Sequence, residues 1–130
     1  MFLKMGKYFD FLLERKRRRD QFLENIDYYL NLVKERVKNI LGEDTKIYLF
    51  GSYLTKNFGP NSDIDILIVS KNEIDQREKG AILAKILENF DVYHPFEIHF
   101  ASEIQFENWY KKFIFENWYK KFIKDKYKEI

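Results

Sequence analysis

Apolar positions between residues 21 and 41 fall at Phe22, Leu23, Ile26, Tyr29, Leu30, Val33, Val37, Ile40 and Leu41. That spacing lays one stripe along an α-helix, and Gly42 is a natural stop. The period then changes. Residues 47–50 are a β-branched and aromatic run short enough to be a buried strand, and Gly51-Ser52 after it offers a turn and a helix N-cap. A short helix over residues 53–57 is predicted next. Gly59-Pro60-Asn61-Ser62 is a turn cluster, and residues 64–69 beyond it read as a central strand covered on both faces. The pattern predicts a helix over 75–89 and a last strand over 96–100 after Pro95. Glu97 and His99 share one face of that strand because side chains alternate. The remainder is predicted to be helical.

The tail holds one nine-residue string twice, FENWYKKFI at 106–114 and again at 115–123. In the first copy Phe106, Trp109, Tyr110, Phe113 and Ile114 form an apolar stripe. Nine residues at about 100° each turn the second stripe by roughly 180°. A continuous helix is then apolar on both sides. One stripe can dock on the domain, leaving the other exposed, paired with a partner or second copy of the chain, or displaced by a break. The alternative is a tandem duplication with no function of its own.

At 130 residues the chain fits one domain. Its parts are an N-terminal helical region (1–45), a central strand-bearing region (46–100) and a C-terminal helix (101–130). Hydrophobic residues make up 45% and charged ones 34%, which is a folded composition. With no Cys there are no disulfides and no thiolate metal sites. The net charge of +2 implies no general affinity for polyanions. The run Arg15-Lys16-Arg17-Arg18-Arg19 reads as a solvated helix face, so nucleic acid is not an expected partner. Helical spacing assigns Tyr28, Tyr29, Trp109 and Trp118 to core packing rather than base stacking. The start of the chain reads as neither a signal peptide nor a membrane span, which leaves a cytoplasmic protein as the expectation. No zinc motif, Walker P-loop or serine-histidine triad is present.

The chemistry concentrates in Gly51-Ser52, ten intervening residues, then Asp63-Ile64-Asp65. Two carboxylates at i and i+2 of a strand point the same way about 7 Å apart. Such a pair can hold one or two Mg²⁺ ions, hard cations that want oxygen ligands, against nucleotide phosphates. Glycine lets the backbone approach a phosphate, and a serine at a helix N-terminus donates hydrogen bonds to its oxygens. Four fixed residues at ordinary usage recur by chance at about 10⁻³ in a chain this long. His99 reads either as a satisfied core residue or as a group that orients a carboxylate or touches a base.

The segment GSYLTKNFGPNSDIDILIV resembles the nucleotidyltransferase superfamily typified by DNA polymerase beta, and its compact form resembles the minimal nucleotidyltransferase (MNT) family. The resemblance extends through Glu97-Ile98-His99 into the tail, whose duplication departs from the family. It implies an α+β fold, with a small mixed sheet carrying Asp63, Asp65 and Glu97 and flanked by helices that include a long N-terminal one. By the same resemblance Glu97 matches the third metal carboxylate, and Gly51 and Ser52 hold the phosphates. Lys56 stands where many relatives have glycine, which points to a phosphate loop of different shape or charge and makes Lys56 a candidate contact. The implied activity is Mg²⁺-dependent transfer of AMP from ATP. In the MNT family such proteins are commonly antitoxins that adenylylate a tyrosine of a HEPN-domain toxin, which makes a protein the implied acceptor. A binding antitoxin without catalysis and a small-molecule nucleotidyltransferase are the competing readings.

Overall fold

The computed structural model describes residues 2–50, 63–110 and 127–130. Gly51, Ser52, Lys56, the short helix predicted over 53–57, the turn at 59–62 and the second copy of the repeat lie outside the described residues. No helix of the described residues is long and apolar enough to cross a membrane.

The predicted N-terminal helix is two helices. α1 spans Phe2–Glu24 and α2 spans Ile26–Leu41. The apolar phase continues across Asn25, yet Asn25 Nδ2 donates to the Gln21 carbonyl at 3.1 Å, and the Asn25 backbone N–H closes a tight turn onto Phe22 O, also 3.1 Å. A side chain that competes for the helix's own backbone groups breaks the ladder where periodicity shows no break. α2 ends at Gly42, whose φ of 108° only glycine adopts at no cost, and whose N–H closes the helix on Lys38 O.

Strands β1 (Lys46–Phe50), β2 (Ile64–Ser70), β3 (Phe96–Ser102) and β4 (Tyr127–Glu129) form one sheet in the order β3-β2-β1-β4. β2 runs antiparallel to β1 and parallel to β3, so the sheet is mixed and the fold is α+β, as expected. The strand β4 corrects the expectation of an all-helical tail. Its three residues gain order by pairing with the edge of β1, a contact that no local pattern encodes. Between β2 and β3 lies α3 (Gln76–Ile86), capped by Asp75, whose carboxylate accepts the Glu78 N–H at 2.8 Å. After β3, Ser102 and Gln105 cap each other's backbone over the short α4 (Glu103–Gln105), which runs into a π-helical turn at Phe106–Tyr110.

The sheet separates two apolar layers. Ile64, Ile66 and Ile68 of β2 join Ile47, Leu49 and Phe96 against Phe22, Leu30, Val33, Val37 and Ile86 of the three helices. Tyr48, Leu67, Val69 and Ala101 turn to the other face, where Phe106 stacks on Tyr48 with ring centres 4.9 Å apart. Phe22 is the aromatic centre of the helical side. Tyr29 stacks on it, and the Phe90 and Phe96 rings meet it edge-on. Of the neighbouring tyrosines, Tyr29 thus packs on the core as expected, whereas Tyr28 is exposed.

Arg36 joins α2 to the end of α3. Its Nη1 donates to the carbonyls of Ile86 (2.8 Å) and Glu88 (2.9 Å), and the guanidinium lies over the Phe90 ring. Arg36→Ala removes a charged donor from two carbonyls and should cost about 2 kcal/mol in urea unfolding. An unchanged denaturation midpoint would show the contact to be idle.

His94 sits beside the same aromatic centre, and its Nδ1 accepts the Phe96 N–H at 3.1 Å. Burial lowers its pKa from the ordinary 6.5, opposed by the charges of Asp63 and Asp91. A lowered folded pKa means the unfolded chain takes the proton first. Stability is therefore full above about pH 6.5 and falls as the pH drops toward the folded value. His94→Asn keeps an acceptor for the Phe96 N–H, and should flatten the fall in unfolding free energy between about pH 7 and 5. An equal acid loss in both proteins would assign it to other groups.

Candidate metal and nucleotide site

Side-chain alternation sends odd-numbered residues of β2 and β3 to the sheet face away from α1, α2 and α3. Parallel pairing sets Asp65 directly beside Glu97 and Leu67 beside His99. Three polar side chains thereby meet near the start of the central strand β2 and of its neighbour β3, which is an edge strand of the sheet. The Ile64 N–H, 2.7 Å from Pro95 O, ties those two starts together.

His99 Nε2 lies 3.4 Å from Asp65 Oδ1 and 3.7 Å from Glu97 Oε1. One ligand atom from each of the three residues falls within a 4.8 Å group. Exposure rises outward: the Asp65 side chain is 24% exposed, that of His99 36% and that of Glu97 54%. Asp65 is the floor and Glu97 the rim. Burial raises the Asp65 pKa, and the Glu97 charge raises it further against the lowering contact with His99. The site therefore holds a carboxylate at a cost, facing a second one.

Two hard oxygen donors and an imidazole within one cation's reach fit a divalent metal ion, which would relieve the repulsion between them. Asp65, Glu97 and His99 are the residues that would hold it. Asp63 stands apart from this group. It is exposed, just ahead of β2, and its charge acts on Arg19 and His94. The structure thus brings Asp65 and Glu97 together and adds His99 to them. The alternation of Glu97 and His99 was the signal for that third member.

The basic run of α1 is solvated only in part. Arg17 and Arg18 pair with Glu14, and Lys16 pairs with Asp20, all toward water. Arg19 instead turns inward and is 8% exposed, which corrects the expectation for that residue. Its phase gives the reason: Arg19, Phe22, Leu23 and Ile26 are spaced i, i+3, i+4 and i+7, so Arg19 begins the buried stripe.

The nucleotidyltransferase domain family matches residues 30–125. Comparison with the curated proteins and with the solved structures returned no match.

Proposed function

Because the chain belongs to the nucleotidyltransferase domain family, we propose that it transfers AMP from ATP to a tyrosine hydroxyl of a HEPN-type toxin, acting as its antitoxin. The observation that carries the reading is the pairing of Asp65 with Glu97 across β2 and β3, with His99 alongside. Its protein acceptor and its toxin partner rest on the resemblance of GSYLTKNFGPNSDIDILIV to the minimal family.

A magnesium ion held there would neutralise phosphate charge and orient the α-phosphate. The protein's own part is positioning and proton transfer. Asp65, half-buried, fixes the floor. Glu97, at the open rim, takes the proton from the attacking tyrosine hydroxyl. The tyrosine oxygen bonds to the α-phosphorus, the bond between that phosphorus and the α–β bridging oxygen breaks, and pyrophosphate leaves. Gly51, Ser52 and Lys56 complete the proposed site as phosphate contacts. No covalent protein intermediate is needed.

The test is intact mass of both chains after incubation with ATP, Mg²⁺ and a co-expressed HEPN partner. The account expects the partner to gain one or more units of about 329 Da, the mass of a covalent AMP adduct. A stable complex without adduct would instead make the protein a binding antitoxin. Adducts on free hydroxyl compounds alone would make it a small-molecule enzyme.

A further inference from the structure

The helical stripe that turns inward at Arg19 also runs the other way along α1. Leu12 and Tyr8 stand seven and eleven residues earlier in the same helical phase, yet the domain no longer covers the helix there. Tyr8, Phe9, Phe11, Leu12 and Leu13 are 38–65% exposed, and none of them packs on either core layer. Phe11 leans on the domain through one edge-on ring contact, with centres 6.1 Å apart, to Tyr93. The other four are spaced i, i+1, i+4 and i+5 and make one continuous face. A single exposed apolar side chain is ordinary, but five within two turns form a patch that marks an interaction surface. The helix also gains from a cover, because a helical stretch of under about 12 residues is marginal by itself in water.

We infer that this face is covered by the same face of a second copy of the chain, with the two α1 helices lying antiparallel. Area is the first reason. An aromatic side chain can bury about 150–250 Å², so five half-exposed side chains offer apolar area on the order of 500 Å². A standard interface covers about 800 Å² per partner and is roughly 60% apolar, which requires the same amount.

Charge is the second reason, and it also sets the direction. Residues 6–13 hold one basic and one acidic side chain, Lys7 and Asp10, so the face calls for no charged partner and matches its own copy. Residues 14–20 carry five basic side chains against two acidic ones. Parallel packing would set the two basic segments side by side, where like charges repel. Antiparallel packing centred on residues 8–13 sends them to opposite ends of the pair. At 1.5 Å per residue, the two copies of Asp20 then stand about 30 Å apart.

The experiment is sedimentation velocity of the full-length protein over a dilution series from near-millimolar to micromolar, without nucleotide or acceptor. Pairing through α1 predicts a dimer that dissociates on dilution. Phe9→Glu combined with Leu13→Lys should weaken it about 100-fold or more while helix content and melting temperature hold. Both positions are exposed in the single chain, and the new i, i+4 pair supports the helix. Tyr8→Lys, elsewhere on the same face, is the second variant and should weaken the dimer about 10-fold. Direction is read from a spin label on Asp20→Cys, the one thiol in a chain that has no Cys of its own. Antiparallel helices predict a separation of about 30 Å between the two labels, whereas parallel ones would bring them within about 15 Å. A wild type that stays monomeric at every concentration overturns the proposal, whatever else then covers α1. A dimer that persists unchanged in the folded variants overturns it as well, because the pairing surface then lies elsewhere. Labels at the short separation overturn the antiparallel arrangement.

Discussion

Replacing Asp65 by Asn should lower AMP transfer on the order of 10³-fold or more while the protein stays folded. The amide keeps the shape of the side chain but removes the charge that a divalent ion needs. Several kcal/mol of lost charge stabilisation correspond to a rate factor of about 10³. The fold should survive because Asp65 is strained where it stands. Burial and then Glu97 raise its pKa against the lowering contact with His99, so ionising Asp65 is less favourable in the folded chain than in the unfolded one. With a folded pKa above the unfolded one, the ionised carboxylate lowers stability once the pH exceeds the folded value. Asn carries no such charge. The metal-free variant should therefore melt no lower than the wild type at pH 7, and thermal unfolding beside the transfer assay checks both halves. Full activity in a folded Asp65→Asn protein would remove the site from the mechanism.

Ile66→Ala should cost about 3–4 kcal/mol and leave the protein close to unfolding. Ile66 is fully buried one residue from Asp65, and it faces the helical layer while Asp65 faces the open side. Ile66 is itself fixed by pairing on both sides, to Leu49 in β1 and Ile98 in β3, so the strand cannot slide to fill the cavity. Ile104→Ala is the control. Ile104 is 72% exposed, and its truncation should change stability by no more than about 0.5 kcal/mol. Equal costs at the two positions in chemical denaturation would contradict the two-layer core.

The strands were legible because each carried its own signal. β1, β2 and β3 are short apolar runs bounded by turn residues, and the structure places them where the runs lie. β3 extends to Ser102, beyond the predicted end at residue 100, because its pairing with β2 continues to Ser70. Features set by contacts distant in sequence were not legible. β4 has no alternation long enough to read and exists through β1. The break at Asn25 was hidden by an apolar phase that runs straight through it, and one side-chain hydrogen bond decided the matter.

The candidate site divides in the same way. Asp65 was visible in the Asp63-Ile64-Asp65 spacing, and Glu97 in the resemblance. Their direct cross-strand pairing depends on how the chain returns through α3, which no spacing rule supplies. Arg19 was concealed by its company: four basic neighbours suggested a solvated face, while its helical phase with Phe22 and Ile26 pointed inward. Phase outweighs composition for such a residue, because the helix fixes direction and the neighbouring charges do not.

The most direct test of the site needs no acceptor. Paramagnetic Mn²⁺ is titrated into the ¹⁵N-labelled protein with and without ATP, and the broadening of backbone amide signals is mapped. The account predicts selective broadening at Asp65, Ile66, Glu97 and His99, enhanced by ATP and lost in Asp65→Asn. Broadening confined to other acidic surfaces, or unchanged in that variant, would contradict it.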